Sequence, residues 1–277
     1  MMIKSKVIVW KNIYKVTKYL ADKLRLILLH ETKEIKLKMF FEKIYPLKTD
    51  KDLVRVGPDY DGGYLIPNDL EDIAICVSPG VDSESRFELE LANKGMKVYM
   101  ADNSVDSPAI NHSNFHFIKK HIGSYSNQNQ ISFDVWLRDI FKDSKNSDSI
   151  LQMDIEGAEI ETLLSISEDY LNNFRIIVIE FHDFSRLFVK DFFEIYEIIF
   201  NKLLKNHSVV HIHPNNTSKI HRRGDIEIPD LFEITFHRND RFVRTGYASK
   251  FPHNLDRANI SFVKDLKLPK CWYFHND

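Results

Sequence analysis

Cysteine is scarce in this sequence, because Cys76 and Cys271 are the two cysteines among 277 residues. Two cysteines are too few for a disulfide scaffold or for a zinc site built from cysteine, so a reducing compartment is expected. A strong charge of one sign is also missing, since 38 Lys and Arg residues face 40 Asp and Glu residues and leave a net charge of −2. This balance argues against a dedicated nucleic-acid binder that relies on a broad positive field.

Long apolar runs are missing as well. The longest apolar stretch near the start, Leu26–Leu29, is much shorter than the core of a signal peptide. No stretch approaches the roughly 20 residues that a transmembrane helix needs. What is present is 43% hydrophobic and 28% charged residues, a composition typical of a soluble globular protein. The expected location is therefore the cytoplasm.

The first 50 residues differ from the rest, with a net charge of +7 against −9 for the remainder. Residues 7–44 contain no Gly or Pro, and their apolar residues recur largely at spacings of three and four, which predicts an amphipathic helix. The chain is accordingly divided into a basic helical extension, residues 1–48, and a main domain, residues 49–277. We expect the extension to pack as a lid or as the arm of a homodimer; the alternative is contact with an anionic membrane surface.

The main domain shows short β-rich runs that alternate with amphipathic stretches. Such alternation predicts βαβ crossovers, an α/β fold and a mainly parallel sheet. The Pro214–Pro229 stretch holds no predicted helix, so the last strand is expected to run antiparallel. The predicted strands are Ile73–Val77, Lys97–Ala101, Phe115–Lys119, Ile150–Asp154, Ile176–Phe181, Val209–His213 and Phe232–His237. The predicted helices are Glu84–Lys94, Asp134–Phe141, Ala158–Ser165 and Lys190–Leu204.

Ligands of open parallel sheets bind outside the carboxyl ends of the strands, so the strand ends are the places to search. The first strand runs into a turn with a single glycine, Gly80, and the glycine fingerprint of dinucleotide-binding proteins is absent, which disfavours NAD. Asp102 follows the second strand, 22 residues beyond Gly80. An acid at this position can accept hydrogen bonds from both ribose hydroxyls, so a nucleoside site is expected.

Acids and histidines gather at the other strand ends. Asp154 ends the fourth strand, and Glu180 and His182 share one side at the end of the fifth. His213 ends the sixth strand, and Glu233 begins the antiparallel seventh at the same edge. These residues are expected to converge. They suit either a general base or a hard divalent metal with mixed ligands, and the two alternatives remain open.

Three segments resemble a known family. Gln152–Glu159 resembles the Asp-(Val/Ile)-Glu-Gly-(Ala/Trp)-Glu motif of the FkbM-family S-adenosylmethionine-dependent methyltransferases. Arg55 and Asp61–Tyr64 resemble the Arg-x-Gly and Asp-Gly-Gly-Tyr segments of that family, and Ile179–His182 resembles the end of its fifth strand. The resemblance spans roughly residues 53–240 and leaves the first 50 residues uncovered.

The resemblance implies a class I methyltransferase fold, a Rossmann-like seven-stranded, mostly parallel sheet whose last strand is antiparallel. It also implies S-adenosylmethionine as cofactor. Gly80 and Asp82 would lie under its methionine and ribose parts, Asp102 would bind the ribose hydroxyls, and Gly123 and Ser124 would flank adenine. The full set of implied cofactor-binding residues is Asp61, Gly62, Gly63, Gly80, Asp82, Asp102, Asn103, Gly123 and Ser124.

The implied reaction is methyl transfer to a hydroxyl of a sugar or sugar nucleotide. We expect His182 to act as base or metal ligand, with Asp154 and Glu180 orienting or charging the site. If a divalent metal, Mg or Mn, takes part, its expected ligands are Asp154, His182 and His213.

A composition rich in Ile, Lys and Asn indicates an AT-rich bacterial genome and hence capsule or lipooligosaccharide sugars as acceptors. Two alternatives compete with this interpretation. One is a nucleotide-sugar dehydrogenase or epimerase on a similar fold. The other is a non-catalytic scaffold that docks through the basic N-terminal helix.

Overall fold

The computed structural model describes residues 14–21, 23–25, 27–142 and 147–275. Residues 14–21 are helical. The strands in the described part of the chain are β1 (Leu47–Thr49), β2 (Leu53–Val56), β3 (Tyr64–Pro67), β4 (Ile75–Pro79), β5 (Lys97–Ala101), β6 (Phe115–Ile118), β7 (His121–Gly123), β8 (Gln130–Ser132), β9 (Ser149–Met153), β10 (Phe174–Phe181), β11 (His207–Pro214), β12 (Ile220–Arg223), β13 (Ile226–Pro229), β14 (Phe232–Arg238) and β15 (Arg244–Tyr247).

The further helices are α1 (Glu34–Lys43), α2 (Arg86–Asn93), α3 (Phe133–Ile140), α4 (Glu159–Ser165), α5 (Glu168–Leu171) and α6 (Lys190–Leu203). Short 3₁₀ turns lie at Phe184–Phe188, Asn239–Arg241 and Lys270–Trp272.

A seven-stranded sheet of order β11-β14-β10-β9-β4-β5-β6 forms the centre of the molecule. Strand β14 is antiparallel to both of its neighbours, β10 and β11, whereas the other neighbouring pairs in the sheet are parallel. The predicted α/β class, the mainly parallel sheet and the antiparallel last strand are therefore confirmed.

The sheet has a hydrophobic core on each face because side chains alternate along each strand. In β4, Ile75 and Val77 belong to one core and Cys76 to the other. In β10, Ile177 belongs to the first of these cores and Val178 to the second. Strands buried on both faces read as continuous apolar runs, and this made them recognisable in the sequence.

The predicted continuous helix over residues 7–44 is wrong between residues 27 and 33. The chain is extended there, since Thr32 N donates to Phe188 O, Lys190 N donates to His30 O, and Glu31 bridges Val189. Backbone bonds to a distant segment replace the helical bonds of the local sequence. Residues 1–13 lie outside the described part. The predicted dimer or membrane contact of this region stays a prediction.

Helix α1 packs into the main core through Leu37, Phe40 and Phe41, which are almost fully buried. The ring of Phe41 lies 4.3 Å from that of Trp272, between ring centroids. The end of the chain is thereby anchored beside α1. Within the described residues, no helix is long and apolar enough to cross a membrane.

Candidate active site

The turn after β4 presses against the end of β9. Gly80 has φ +83°, and its N–H donates to Ala101 O at 2.9 Å. A Cβ atom at this position would overlap the carbonyl oxygen of Asp154. Glycine is therefore required both for the backbone conformation and for the close approach of two strand ends.

A cavity of about 520 Å³ opens beside this turn, at the carboxyl ends of β4, β5 and β9. Its lining includes Gly80, Asp82, Asp102, Ser104 and Asp154. We call it the donor cavity. This is the edge of the sheet where the strand-end argument placed a ligand.

Asp102 holds the turn in place. Its Oδ2 accepts from the N–H groups of Val81 and Asp82 at 3.1 and 3.0 Å, and its Oδ1 accepts from N and Oγ of Ser104 at 2.7 and 2.6 Å. Burial would raise the pKa of Asp102, but the bonds from Ser104, Asp82 and Val81 outweigh it and lower the pKa. Asp102 is thus an anion that shapes the floor of the donor cavity.

Three of the predicted cofactor-binding residues, Gly80, Asp82 and Asp102, line the donor cavity. At the end of the donor cavity near β7, the lining residues are His121 and Ile122. Gly123 and Ser124, which were predicted to flank adenine, lie one or two residues further along the chain. A Cβ atom on Gly123 would meet Gln130 and Glu161, so this glycine allows side chains to pack beside β7.

Ser104 takes the place predicted for Asn103 in the donor-cavity wall. The other predicted cofactor residues lie at the loop between β2 and β3. Asp61 and Gly62 line a second cavity, and Gly63 packs against Pro58, whose carbonyl oxygen a Cβ atom would overlap.

This second cavity has a volume of about 440 Å³ and shares Gly80, Asp82, Asp154 and Glu156 with the donor cavity. Its other polar lining residues are Tyr60, Asp61, Tyr64, Ser83, Glu84, Arg86, Glu88 and Gln152. We call it the acceptor cavity, because we propose below that the methyl acceptor binds there. The two cavities meet at the acids that end β9.

Asp154 and Glu180 form a carboxyl pair at the ends of β9 and β10. Burial raises the pKa of Asp154 well above its usual value, and the charge of Glu180 adds to this effect. Burial followed by the charges of Glu233 and Asp61 raises the pKa of Glu180 to about 8. The pair therefore retains a proton at neutral pH. The Oδ1 atom of Asp154 is buried and has no hydrogen-bond partner.

His182 lies between two glutamates. Its Nδ1 is 3.1 Å from Oε1 of Glu159, and its Nε2 is 3.3 Å from Oε2 of Glu156. Burial would lower the pKa of His182, but the bond with Glu159 and the charges of Glu159, Asp154 and Glu156 raise it to about 9. The ring is then an imidazolium at neutral pH, without a lone pair to accept a proton. His182 is therefore not suited to act as the base in this arrangement, which differs from the predicted role.

Two groups of described residues offer ligand atoms that lie within 4.8 Å of one another. One is Asp154, Glu156 and His182; the other is Asp61, Glu180 and Glu233. His213, a predicted ligand, does not lie in the group with Asp154 and His182, and Glu156 lies there instead.

The physical reason is the position of β14 between β10 and β11, which moves the end of β11 about 10 Å from β10. His213 faces Glu233 and Asp265 instead, each at 3.2 Å.

A model of the methyltransferase FkbM domain matches residues 52–207. The chain belongs to the FkbM methyltransferase family. It is an S-adenosylmethionine-dependent methyltransferase, as the resemblance implied. The alternatives of a dehydrogenase, an epimerase or a non-catalytic scaffold are therefore set aside.

The methyltransferase is also similar in fold to solved structures of low sequence identity. The fibrillarin–Nop5p complex is 12% identical, with 61% of this chain and 74% of that chain covered and a TM-score of 0.34. A putative RNA methyltransferase from Pyrococcus horikoshii is 11% identical, with coverage of 74% and 99% and a TM-score of 0.33.

The MycE methyltransferase of the mycinamycin biosynthetic pathway, in complex with Mg and SAH, is 14% identical. The similarity covers 66% of this chain and 46% of MycE, with a TM-score of 0.32. No curated protein matches the chain significantly.

The donor cavity suits the cofactor of the family. The Gly80 turn leaves open space beside two strand ends that a larger residue would force apart. When bound, S-adenosylmethionine supplies a methyl group on a positively charged sulfur. Asp82 lines the cavity with a carboxyl group that suits ribose hydroxyls. The oxygens of Asp102 already accept four hydrogen bonds from the turn and from Ser104, so this anion contributes negative charge that suits a positively charged sulfur.

Several residues of the site escaped the sequence analysis. Glu159, the last residue of the family motif, is fully buried. It accepts from the N–H groups of Ile155 and Gly157 and contacts His182. Asn259 and Asp265 come from a C-terminal segment without regular structure. Such a segment has no periodic pattern, so nothing in the sequence assigned these two residues to the site.

Proposed function

We propose that this methyltransferase transfers the methyl group of S-adenosylmethionine to a hydroxyl of a sugar or sugar nucleotide. The observation that carries the proposal is that the donor and acceptor cavities meet at Asp154, which forms a carboxyl pair with Glu180 beside the junction. The acceptor cavity offers carboxyl and hydroxyl groups from Asp61, Glu84 and Tyr60. Groups of this kind bind the hydroxyls of a sugar by hydrogen bonds.

The chain has two tasks in this reaction. It aligns the acceptor oxygen with the methyl carbon, and it accepts the hydroxyl proton as the new C–O bond forms and the C–S bond breaks. The Asp154–Glu180 pair binds protons more strongly than exposed carboxylates do, because burial raises both pKa values. The pair retains one proton at neutral pH, so one of its two carboxyl groups remains ionised. When Glu180 holds that proton, the ionised Asp154, which lines both cavities and whose Oδ1 atom has no partner, accepts the hydroxyl proton.

A divalent cation, Mg or Mn, is the alternative means of activating the hydroxyl. Asp154, Glu156 and His182 would hold it, since their ligand atoms lie within 4.8 Å of one another. If these residues held a cation, it would supply a Lewis acid that lowers the pKa of a hydroxyl beside it. Loss of turnover in a chelator, with recovery on adding Mg²⁺ or Mn²⁺, distinguishes this route from metal-free base catalysis.

The proposed setting is the synthesis of a bacterial surface glycan, a capsule or a lipooligosaccharide, with cytoplasmic sugar nucleotides as acceptors. The high content of Ile, Lys and Asn and the polar acceptor cavity support this choice.

The test is a methyl-transfer assay with a panel of sugar nucleotides and oligosaccharides, read by mass spectrometry for the added methylene mass. Asp154→Asn is expected to lower kcat by about 100-fold or more, the usual size of a lost general base. Its affinity for S-adenosylhomocysteine should stay within a few-fold of the wild-type value. Asp183→Asn is the matched control, because Asp183 is exposed and has φ +58°, a conformation that Asn tolerates. Transfer to amines alone, with no hydroxyl acceptor methylated, would disprove the proposal.

A further inference from the structure

The described residues between 14 and 29 expose a concentration of large apolar side chains. Eight of them lie on the surface, with exposed fractions between 44% and 85%, namely Tyr14, Val16, Tyr19, Leu20, Leu24, Ile27, Leu28 and Leu29. We call these eight side chains the N-terminal patch. The described residues from 30 to 275 expose ten such side chains over their whole length. Apolar side chains concentrated on a surface mark a contact with a partner or a membrane.

The main domain does not cover the patch. A lid packed on the domain would bury Leu20 and Leu24, which are 50% and 67% exposed. Among residues 14–21, Ala21 is the one buried side chain. The ring of Tyr14 stacks on that of His30 within the same segment, with 6.4 Å between ring centroids. The patch is therefore left for a surface outside this chain.

Basic side chains lie among the apolar ones. The exposed cations of this segment are Lys15, Lys18, Lys23 and Arg25, and none forms an ion pair with another residue in the part of the chain that the structure describes. In the sequence, residues 1–30 hold seven Lys and Arg residues and one acid, Asp22. The segment therefore favours a surface of negative charge.

The helix at residues 14–21 separates the two kinds of side chain. Val16 and Leu20 are four residues apart and share one face, and Lys18, midway between them, lies on the opposite face. A helix with one apolar and one basic face lies in the interface of an anionic bilayer, where its apolar side chains enter the acyl region and its cations remain among the headgroups.

A second copy of the chain fits this surface less well. In a symmetric dimer the same patch would face itself, so the cations of one copy would lie against those of the other. The described residues from 14 to 30 include no acid to balance them, and Glu31 already pairs with Arg223 at 3.0 Å. Anionic headgroups supply the missing negative charge, and each basic residue near them strengthens binding about fivefold.

The patch is joined to the edge of the sheet where the donor and acceptor cavities open. Thr32 N donates to Phe188 O at 2.9 Å, and Lys190 N donates to His30 O at 2.8 Å. Phe188 and Lys190 belong to the segment that follows the carboxyl end of β10 and His182. Contact through the patch therefore holds this edge near the surface to which the patch binds.

We propose that the N-terminal patch docks the enzyme on an anionic bilayer. Leu20 and Leu24 enter the upper part of the acyl region, and Lys18 and Arg25 contact the headgroups. The chain lies on the membrane without crossing it, in agreement with the absence of a spanning helix among the described residues. Docking keeps the acceptor cavity beside the bilayer surface.

The test is co-sedimentation of the full chain with vesicles at low salt. Vesicles of an equimolar mixture of phosphatidylglycerol and phosphatidylcholine are compared with vesicles of phosphatidylcholine alone, which should bind the chain at least tenfold more weakly. Leu20→Ser combined with Leu24→Ser is expected to lower the partition coefficient on mixed vesicles at least tenfold, because two apolar side chains no longer leave water. Lys15→Gln combined with Lys18→Gln should lower it by a similar factor, and added salt should weaken binding of the wild type.

Val243→Ser and Lys97→Gln are the matched controls. Val243 is 65% exposed and comes after β14, and Lys97 is exposed and begins β5. Both strand ends lie at the opposite, amino edge of the parallel strands, so both controls should bind vesicles like the wild type. Because all the altered side chains are exposed, the four variants are expected to unfold at the same urea concentration as the wild type.

The proposal is supported when both patch variants lose binding to mixed vesicles and both controls keep it. Failure of the wild type to bind these vesicles, or unchanged binding by the patch variants, overturns it. Light scattering without lipid tests the second copy. A stable dimer that Leu20→Ser with Leu24→Ser dissociates would assign the patch to that copy and overturn membrane docking. No methyl transfer is measured, so the result is independent of the proposed function.

Discussion

The Nε2 atom of His211 lies 2.8 Å from Oδ1 of Asp256, in a buried contact that joins β11 to the C-terminal segment. Asp256 also accepts from the N–H of His253 at 2.6 Å. Burial would raise the pKa of Asp256, but the charge and the hydrogen bond of His211 outweigh it and lower the pKa. The segment that carries Asn259 and Asp265 is thus held to the edge strand by this pair.

Asp256→Ala is expected to lower the free energy of unfolding by about 3 kcal/mol, because it leaves His211 buried without its partner. Asp230→Ala is the control, because His221 and Asp230 are 2.7 Å apart but solvent-accessible. The free energy of unfolding should fall by less than about 1 kcal/mol in this variant. Urea unfolding of both variants measures the difference. Equal losses would show that the His211 contact is not a buried anchor.

Gly80→Ala is expected to weaken the binding of S-adenosylhomocysteine by more than tenfold and to destabilise the fold. The methyl group would force the β4 turn away from Asp154. Gly95→Ala is the control, because Gly95 has φ +95° with open space around its Cβ position. It should cost about 1–2 kcal/mol from backbone strain alone and leave the affinity unchanged. Calorimetry and thermal unfolding separate the two effects, and similar affinities for both variants would contradict the role of close approach.

Asp102→Asn is expected to weaken the binding of S-adenosylhomocysteine about tenfold or more. The amide cannot accept all four hydrogen bonds from Val81, Asp82 and Ser104, so the turn below the cofactor loosens. Asp106→Asn is the matched control, since that exposed acid pairs with Lys119. Calorimetric titration gives both affinities; an unchanged dissociation constant for Asp102→Asn rules out this bracing role.

Because Glu88 is a buried carboxyl group, we expect the stability of the fold to depend on pH. Burial raises its pKa from 4.5 to about 7, more than the hydrogen bond to Ser78 lowers it. The Oγ atom of Ser78 lies 2.5 Å from Glu88 and 2.6 Å from Gln152, and its single proton can serve only one of them. A protonated Glu88 supplies the proton for the second of these two hydrogen bonds.

The folded chain then keeps a proton that the unfolded chain releases between about pH 4.5 and 7, so stability falls as the pH rises through this window. Glu88→Gln keeps a neutral donor and removes the part of the fall that is due to Glu88. At pH 8 the variant should be more stable than the wild type by up to about 3 kcal/mol, and at pH 4 the two should agree. Urea unfolding across this range checks it; parallel pH profiles would mean that Glu88 is charged in the folded state.

Local signals made much of the fold predictable. Strand β5 has the predicted bounds, and the other strands of the main sheet agree with the predictions to within two residues. The N-terminal helix was predicted to be too long, because apolar spacing alone does not reveal that residues 30–32 form backbone hydrogen bonds with residues 188–190. Asp154 and Glu180 were assigned to one edge correctly, because parallel strands end at the same edge of a sheet.

The amino-acid sequence alone was enough for the seven strands of the main sheet, four of the helices beside it, the antiparallel last strand and the family motif around Asp154, whereas the short strands outside the main sheet were missed. These features follow from local periodicity and from residues that are contiguous in the chain. Tertiary structure decided which acids share protons or face one another. The insertion of β14 separates His213 from His182 and places Glu233 opposite Glu180, and an irregular segment brings Asn259 between Asp61 and Glu233. Such contacts depend on distances between remote segments, for which the local sequence has no signal.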